Sequence, residues 1–378
     1  NARLSKLERK PTHLFLFNSN WNTLQVFTLM IKFIPIIFLL TASCALYEDN
    51  DQPNIYFEIH DFDILELGKT VSDIKLGSNS QYLYLSDYNN NSLLKINIQG
   101  KMELLDELIL GSHPIAMDLS PDKTNLAVAM EGESKIYIIS LADFSIAISF
   151  SISLMHMNDI VYVNSHRLLI SSKTDPTVIS YDLNTNIETS QSILNGELVV
   201  NQNDSIAYVA SSSSVKKYDV SNNQASLEPY IADPYGFSAT INHFIISPDK
   251  SILFLCLSNP DNHTGIKSVY AYDAETLTFS GQYKVNSSGM GVAVSNNNRI
   301  FVAPTDADKN GVFVVEFDAQ TKLESNYYLV AGDLKERCIV IDQNTEYFYV
   351  LVNTPGDNNS FEPYNDYSFD LQRVHIYD

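Results

Sequence analysis

A sequence unit of about 44 residues recurs seven times along this chain, and this repeat constrains the fold more than any other feature. Each copy has an apolar segment, a polar turn, a second apolar segment, and then a third and a fourth. The clearest copy consists of residues 116–122, 126–129, 135–139 and 145–150. The first segments of the seven copies end at Leu76, Leu119, Val163, Val200, Ile246, Val294 and Ile341.

The third segments form a second regular series. They alternate in polarity and are rich in Val, Ile and Tyr, which is typical of strands on a half-buried pleated surface. Their positions are 93–97, 135–139, 178–182, 215–219, 269–273, 312–318 and 374–378. In addition, Ser120-Pro121-Asp122 recurs at residues 247–249, and Pro followed by Asp suits the centre of a type I turn.

Units of this size cannot bury their faces alone, but they can do so when they are arranged radially. We therefore predict an all-β fold for residues 54–378, a seven-bladed β-propeller with four-stranded antiparallel blades. The chain ends on a third strand, so the last blade lacks a fourth. The spare strand-like segment 54–67 is expected to pair with residues 373–377 and to close the ring, which would remove its exposed edges.

Three segments resemble a known repeat. Residues 82–97 have a Tyr-containing strand, a small polar turn and a strand of alternating aliphatic residues, and residues 207–211 and 272–277 fit the same pattern. This pattern is similar to the YVTN-type propeller repeat. The resemblance implies a propeller but does not determine the function, because that family includes surface-layer proteins, lactonases and subunits of quinoprotein dehydrogenases.

The beginning of the chain has the pattern of a targeting segment. Residues 30–43 combine a basic Lys32, an apolar run at 33–40 and small residues at 41–43, as in a secretory signal peptide. Residues 1–29 are interpreted as upstream, non-native sequence, with Met30 as the start. Residues 44–53 are polar and acidic, which predicts a short tether.

Residues 40–44, Leu-Thr-Ala-Ser-Cys, resemble the lipobox of bacterial lipoproteins. The resemblance implies that Cys44 is lipidated and that the chain is anchored in the bacterial cell envelope. Ala45, in place of Asp, implies the outer membrane, on its periplasmic or surface face. Thr41 departs from the family, which usually has Leu there. Ordinary cleavage with an incidental cysteine, or an uncleaved anchor, are the alternatives.

Composition and motifs exclude several classes of function. The 24 Lys and Arg residues against 45 Asp and Glu argue against nucleic-acid binding, which requires clustered basic residues. The sequence contains no Gly-x-Ser-x-Gly, His-Glu-x-x-His, Cys-x-x-Cys or P-loop motif. We therefore assign no catalytic residue and predict no cofactor.

The repeat register predicts where a ligand would bind. The loops that precede the first strands and those that join strands two and three should share one face, around the mouth of the channel. His113 and His156 occupy matching places in neighbouring blades. With Asp118 or Asp159 they could ligate a metal, although two solvated histidines are the simpler interpretation. The candidate ligand-binding residues at the mouth are His113, His156, Glu131, Lys335 and Arg337.

A possible cation site follows the sixth repeat. Asp306, Asp308 and Asn310, followed by Gly311, match the first half of a calcium-binding loop. The second half does not match, because Val314 and Phe317 occupy the later ligand positions. Calcium thus stays a weak alternative to a polar turn, and the metal is unknown.

These observations lead to one functional prediction and two rivals. We expect a monomeric, membrane-tethered, extracytoplasmic propeller that binds a protein or small ligand on its loop face and is not an enzyme. The first alternative is a lactonase-like or metal-dependent hydrolase with its site at the channel mouth. The second is a structural subunit of a redox or secretion assembly.

Overall fold

The computed structural model describes residues 63–377, except residues 79, 202–205, 212–213, 222–223, 233–239, 259–268, 286–288, 305–311, 343, 345 and 355–367. These residues belong to one compact unit, Phe57–Asp378. The predicted signal peptide, Cys44 and the predicted acidic tether lie outside them. Within the described ranges, no helix is both long enough and apolar enough to cross a membrane.

The described strands form seven four-stranded antiparallel sheets, which confirms the predicted β-propeller. Blade one comprises β2 (Val71–Leu76), β3 (Tyr82–Asp87), β4 (Ser92–Asn97) and β5 (Glu103–Ile109). Blade two comprises β6 (Pro114–Leu119), β7 (Asn125–Met130), β8 (Lys135–Ser140) and β9 (Ser145–Ser151). Blade three comprises β10 (Met157–Asn164), β11 (Arg167–Ser172), β12 (Thr177–Asp182) and β13 (Ile187–Ser192).

The other blades repeat this order. Blade four comprises β14 (Glu197–Asn201), β15 (Ile206–Ser211), β16 (Ser214–Asp219) and β17 (Gln224–Ala232). Blade five comprises β18 (Thr240–Ile246), β19 (Ile252–Ser258), β20 (Val269–Asp273) and β21 (Phe279–Tyr283). Blade six comprises β22 (Gly289–Val294), β23 (Arg299–Pro304), β24 (Val312–Asp318) and β25 (Glu324–Val330). Blade seven comprises β26 (Leu334–Ile341), β27 (Tyr347–Asn353), β28 (Phe369–His375) and β1 (Asp63–Lys69).

Strand β1 completes blade seven from the other end of the chain, as expected. It pairs antiparallel with β28, with Asp63 opposite Arg373 and Leu65 opposite Leu371. β1 overlaps the end of the predicted segment 54–67, and β28 overlaps the start of the predicted segment 373–377. The register is set by Asp370, whose Oδ1 accepts the backbone N–H groups of Leu67 and Gly68 at 2.8 and 2.9 Å.

The hydrophobic core lies between neighbouring blades. One cluster joins blades one and two through Leu93 and Met117, and another joins blades two and three through Ile136 and Ile160. Each sheet therefore buries its faces against its neighbours, which explains why no blade would be stable alone. The first strands β2, β6, β10, β14, β18, β22 and β26 contact one another in sequence around the axis.

The turns after the first strands follow the predicted pattern. The N–H of Lys123 donates to the carbonyl of Ser120 at 2.7 Å, and Lys123 has a φ of 55°. The same bond joins Lys250 to Ser247 at 2.9 Å. A type I turn followed by a left-handed residue suits a short hairpin loop, so both Ser-Pro-Asp segments close first-strand hairpins.

Candidate functional site

The loops that precede the first strands lie beside those that join strands two and three. The backbone N–H of Tyr88 donates to the carbonyl of Thr70, that of Glu131 to His113, and that of Lys173 to His156, at 2.7–2.8 Å. These two sets of loops therefore share one face in blades one, two and three. We call this the loop face, and the face that carries the Ser-Pro-Asp turns the opposite face.

Four side chains from three blades form one cluster on the loop face. The rings of Tyr88 and His113 are stacked, with centroids 4.5 Å apart. The Tyr88 hydroxyl donates to Glu131 Oε2 at 2.7 Å, and Lys173 Nζ lies 3.0 Å from Glu131 Oε1. We call Tyr88, His113, Glu131 and Lys173 the loop-face cluster.

Neighbouring groups fix the backbone conformation of His113 and the protonation state of Tyr88. His113 has a φ of 56°, and its backbone N–H donates to Asn91 Oδ1 at 2.8 Å, which fixes a backbone conformation that side chains seldom adopt. Burial and the bond to Glu131 raise the pKa of the Tyr88 hydroxyl well above its ordinary value. Tyr88 therefore stays a hydrogen-bond donor throughout the physiological pH range.

The other predicted mouth residues occupy different places. His156 is exposed, with a φ of 49°. Lys335 Nζ donates to the Ser72 carbonyl at 3.2 Å, and Arg337 Nε donates to Glu197 Oε1 at 2.9 Å. The structure thus brings His113 and Glu131 together but places Lys335 and Arg337 among the inner strands.

Carboxylates on the inner strands connect consecutive blades. Asp73 Oδ2 accepts the N–H of Met117 in blade two at 2.7 Å, and Asp159 Oδ2 accepts that of Leu198 in blade four at 2.7 Å. Glu197 accepts the N–H of Phe244 in blade five. These side chains therefore connect neighbouring blades by hydrogen bonds.

Two further inner-strand side chains continue the series. Asp118 Oδ2 accepts the N–H of Tyr162 at 2.7 Å, and His243 Nδ1 accepts that of Val292 at 3.1 Å. The bond to Val292 requires the tautomer in which Nε2 carries the hydrogen. Blades two to three and five to six are thereby connected as well.

Burial changes the protonation of these groups. It raises the pKa of Asp118 to about 6 and that of Glu197 to about 7, although Arg337 opposes the shift of Glu197. Burial and the nearby charges of Arg337 and Lys75 lower the pKa of His243 to about 3. His243 is therefore neutral at physiological pH.

A cavity of about 370 Å³ lies along the inner strands. Its charged or polar lining consists of Asp73, Lys75, Asp159, Glu197, His243 and Arg337. Its apolar lining includes the last residues of several inner strands, Leu76, Leu119, Ile246, Val294 and Ile341. We call it the axial cavity.

The candidate metal ligands can be compared with the structure only where they lie among the described residues. Among the residues that the structure describes, no group of three or more His, Cys, Asp or Glu side chains could hold a metal ion. Asp118 and Asp159 each engage a backbone N–H of the next blade. Asp306, Asp308 and Asn310 lie outside the described residues, so the calcium hypothesis stays a prediction. Cys256 and Cys338 are buried free thiols.

Sequence reasoning missed several of these residues. Tyr88 and Lys173 both directly follow a second strand, at the same place as Glu131, and that register could have identified them. Asp73, Glu197 and His243 lie three residues before the last apolar residue of their first segments, so alignment of the copies on those residues could have revealed the series.

Comparison with known proteins supports the fold but identifies neither a family nor a function. No family model and no curated protein matches the chain. Among solved structures, it is similar to a chain of hydrazine synthase from Kuenenia stuttgartiensis, with a TM-score of 0.61 and 10% sequence identity. The similarity covers 85% of this chain and 99% of that chain. At this identity the likeness concerns the propeller architecture alone.

Proposed function

We propose that this chain is a membrane-tethered, extracytoplasmic β-propeller that binds a protein or small ligand on its loop face without catalysing a reaction. The observation that supports the proposal best is the loop-face cluster, in which groups from three blades meet. Binding residues are commonly carried on loops that a rigid scaffold positions, and a propeller is such a scaffold.

The chemistry of the cluster suits recognition. Tyr88 and His113 offer stacked rings, and Glu131 and Lys173 offer charges of opposite sign. The side chain of Lys173 is 50% exposed, so its ammonium can exchange Glu131 for a ligand group at little cost. An aromatic surface with a polar rim suits carbohydrate or polar peptide groups.

Binding can be tested with the purified full-length chain on arrays of oligosaccharides and peptides. Any probe that binds should lose at least tenfold in affinity with Tyr88→Ala and with Lys173→Met. The matched controls are Tyr82→Ala, at the start of β3, and Lys123→Met, in a Ser-Pro-Asp turn. Both lie at the opposite face and should leave affinity unchanged.

Two results would reject this proposal. One is binding that the control variants abolish and the loop-face variants do not affect. The other is turnover of a lactone or other ester by the purified chain that His113→Ala removes, particularly with stoichiometric zinc or calcium in the protein. That outcome would support the hydrolase alternative.

The tether is a separate part of the proposal and is supported by the lipobox-like residues that precede Cys44. When the chain is expressed in bacteria with labelled palmitate, we expect the protein to carry the label and to be recovered in the membrane fraction. Cys44→Ser should lose both. Label that persists in Cys44→Ser would exclude this anchor.

A further inference from the structure

The axial cavity differs from the loop-face cluster in the balance of its hydrogen-bonding groups. The oxygens of its acids already accept protein N–H groups. Asp73 accepts those of Ile74 and Met117 at 2.8 and 2.7 Å, and Asp159 those of Ile160 and Leu198 at 2.9 and 2.7 Å. The acceptors of the cavity are thus largely occupied.

The donors of the cavity are less occupied. Arg337 uses only Nε, toward Glu197, and among the described residues its two terminal nitrogens donate to no protein group. Among the described residues, Lys75 Nζ forms an ion pair with Asp73 Oδ2, at 3.5 Å, and it also feels the charges of Asp118 and Asp159. His243 receives a bond at Nδ1 and retains Nε2–H as a donor.

These donors remain accessible from the cavity they line. The side chains of Lys75 and Arg337 are 32% and 18% exposed although both lie on inner strands. A bound group that satisfies two cations and the Nε2–H of His243 must supply several acceptor oxygens. A carboxylate does so, and its geometry matches a guanidinium.

The other part of the lining is aliphatic. Leu76, Leu119, Ile246, Val294 and Ile341 end five inner strands around the axis. A volume of about 370 Å³ is near the lower limit of small-molecule sites. We propose that the axial cavity binds a small aliphatic carboxylate, with its carboxylate group at Arg337 and Lys75 and its chain against these residues.

The acidic side chains that line the cavity do not prevent an anion from binding there. Lys75 and Arg337 balance the charges of Asp73 and Asp159. Burial raises the pKa of Glu197 to about 7, so a large fraction of Glu197 is neutral at neutral pH. This site is independent of the loop-face cluster, so either proposal can fail alone.

Isothermal titration calorimetry of the full-length chain tests the site with three probes of similar shape: sodium hexanoate, hexan-1-ol and hexylammonium chloride. We expect hexanoate to bind at one site, at least tenfold more tightly than hexan-1-ol, and hexylammonium not to bind. Equal affinity for acid and alcohol, preference for the ammonium ion, or no hexanoate binding at 10 mM (about 2.7 kcal/mol of binding free energy) would overturn the proposal.

Two variants locate the binding. Lys75→Met removes one cation without breaking a close hydrogen bond and should weaken hexanoate binding at least tenfold. Ala293→Leu enlarges a side chain of the cavity wall and should abolish it. The matched control Lys101→Met, at an exposed turn, should bind like the wild type. Circular dichroism confirms folding, and unchanged binding in both folded cavity variants would contradict the assignment.

Discussion

At the scale of single residues, the inner strands are joined by side chains as well as by packing. Asp73, Asp159 and Glu197 each accept a backbone N–H from the next blade. A buried N–H without an acceptor costs free energy, so these carboxylates satisfy groups that no sheet ladder reaches. They explain how consecutive inner strands, which belong to different sheets, stay joined around the axis.

Asp73→Asn should destabilise the protein by about 2–4 kcal/mol, because the amide nitrogen cannot accept an N–H and the nearby Lys75 loses its ion-pair partner. The free energy of unfolding in urea measures the effect. Asp333→Asn, at an exposed loop position, is the matched control and should change it by less than about 0.5 kcal/mol. Equal effects of the two substitutions would contradict a stabilising role for the hydrogen bond between Asp73 and the next blade.

Glu197→Gln should flatten the dependence of stability on pH. Burial raises the pKa of Glu197 to about 7 in the folded state, against 4.5 ordinarily. Between these values the folded protein holds a proton that the unfolded chain has released, so stability falls as pH rises through this window. The contribution is on the order of 3 kcal/mol.

Urea unfolding at pH 5, 6, 7 and 8 measures this slope. The exposed Glu66→Gln should follow the wild type, while Glu197→Gln should show a smaller decrease. Parallel curves for wild type and Glu197→Gln would show that Glu197 has an ordinary pKa.

The candidate site could be predicted from the sequence only in part, and the reason is the direction of individual side chains. His113 and Glu131 were found because repeat register locates loops along the chain. Register does not tell whether a side chain projects into the channel or across the loop face. Arg337 has a φ of 54°, and β26 has an irregular register between Leu334 and Ile339. Such bulges redirect side chains, so Arg337 pairs with Glu197 at the axis instead.

At the scale of elements, the short turns after the first strands are organised by side chains. Ser247 Oγ donates to Asp249 Oδ1 at 2.5 Å and accepts the N–H of Ile252 at 2.9 Å. Ser120 makes the same contacts with Asp122 and Asn125, at 2.6 and 3.0 Å. These elements were predictable because turn chemistry and strand alternation are local properties of the sequence.

Ser247→Ala should lower the free energy of unfolding by about 1–2 kcal/mol, since Ile252 N–H loses its side-chain acceptor and Ser247 is buried. Urea denaturation of Ser149→Ala provides the control, because Ser149 is exposed on the outer strand of blade two. We expect the control to change stability by less than about 0.5 kcal/mol. A Ser247→Ala variant as stable as the control would show that the turn does not need this hydroxyl.

At the scale of the whole molecule, the fold depends on contacts between distant parts of the chain. The seven blades and the closing strand followed from repeat length, because units that cannot bury their faces alone must stack in a ring. The register of that closure did not follow, since it depends on Asp370 and on the ion pair between Asp63 and Arg373. The axial cavity, which residues of all seven blades line, exists only if the ring is closed.

The most direct test of this account is a cross-link between the chain ends. In a Cys44→Ser background, Asp63→Cys with Arg373→Cys should form a disulfide, because these residues are opposite each other in β1 and β28. The oxidised chain should migrate faster in non-reducing electrophoresis, reversibly with reductant. Glu66→Cys with Arg373→Cys, three residues out of register, should not. Equal cross-linking of the two pairs, or none in the first, would contradict a ring closed by β1.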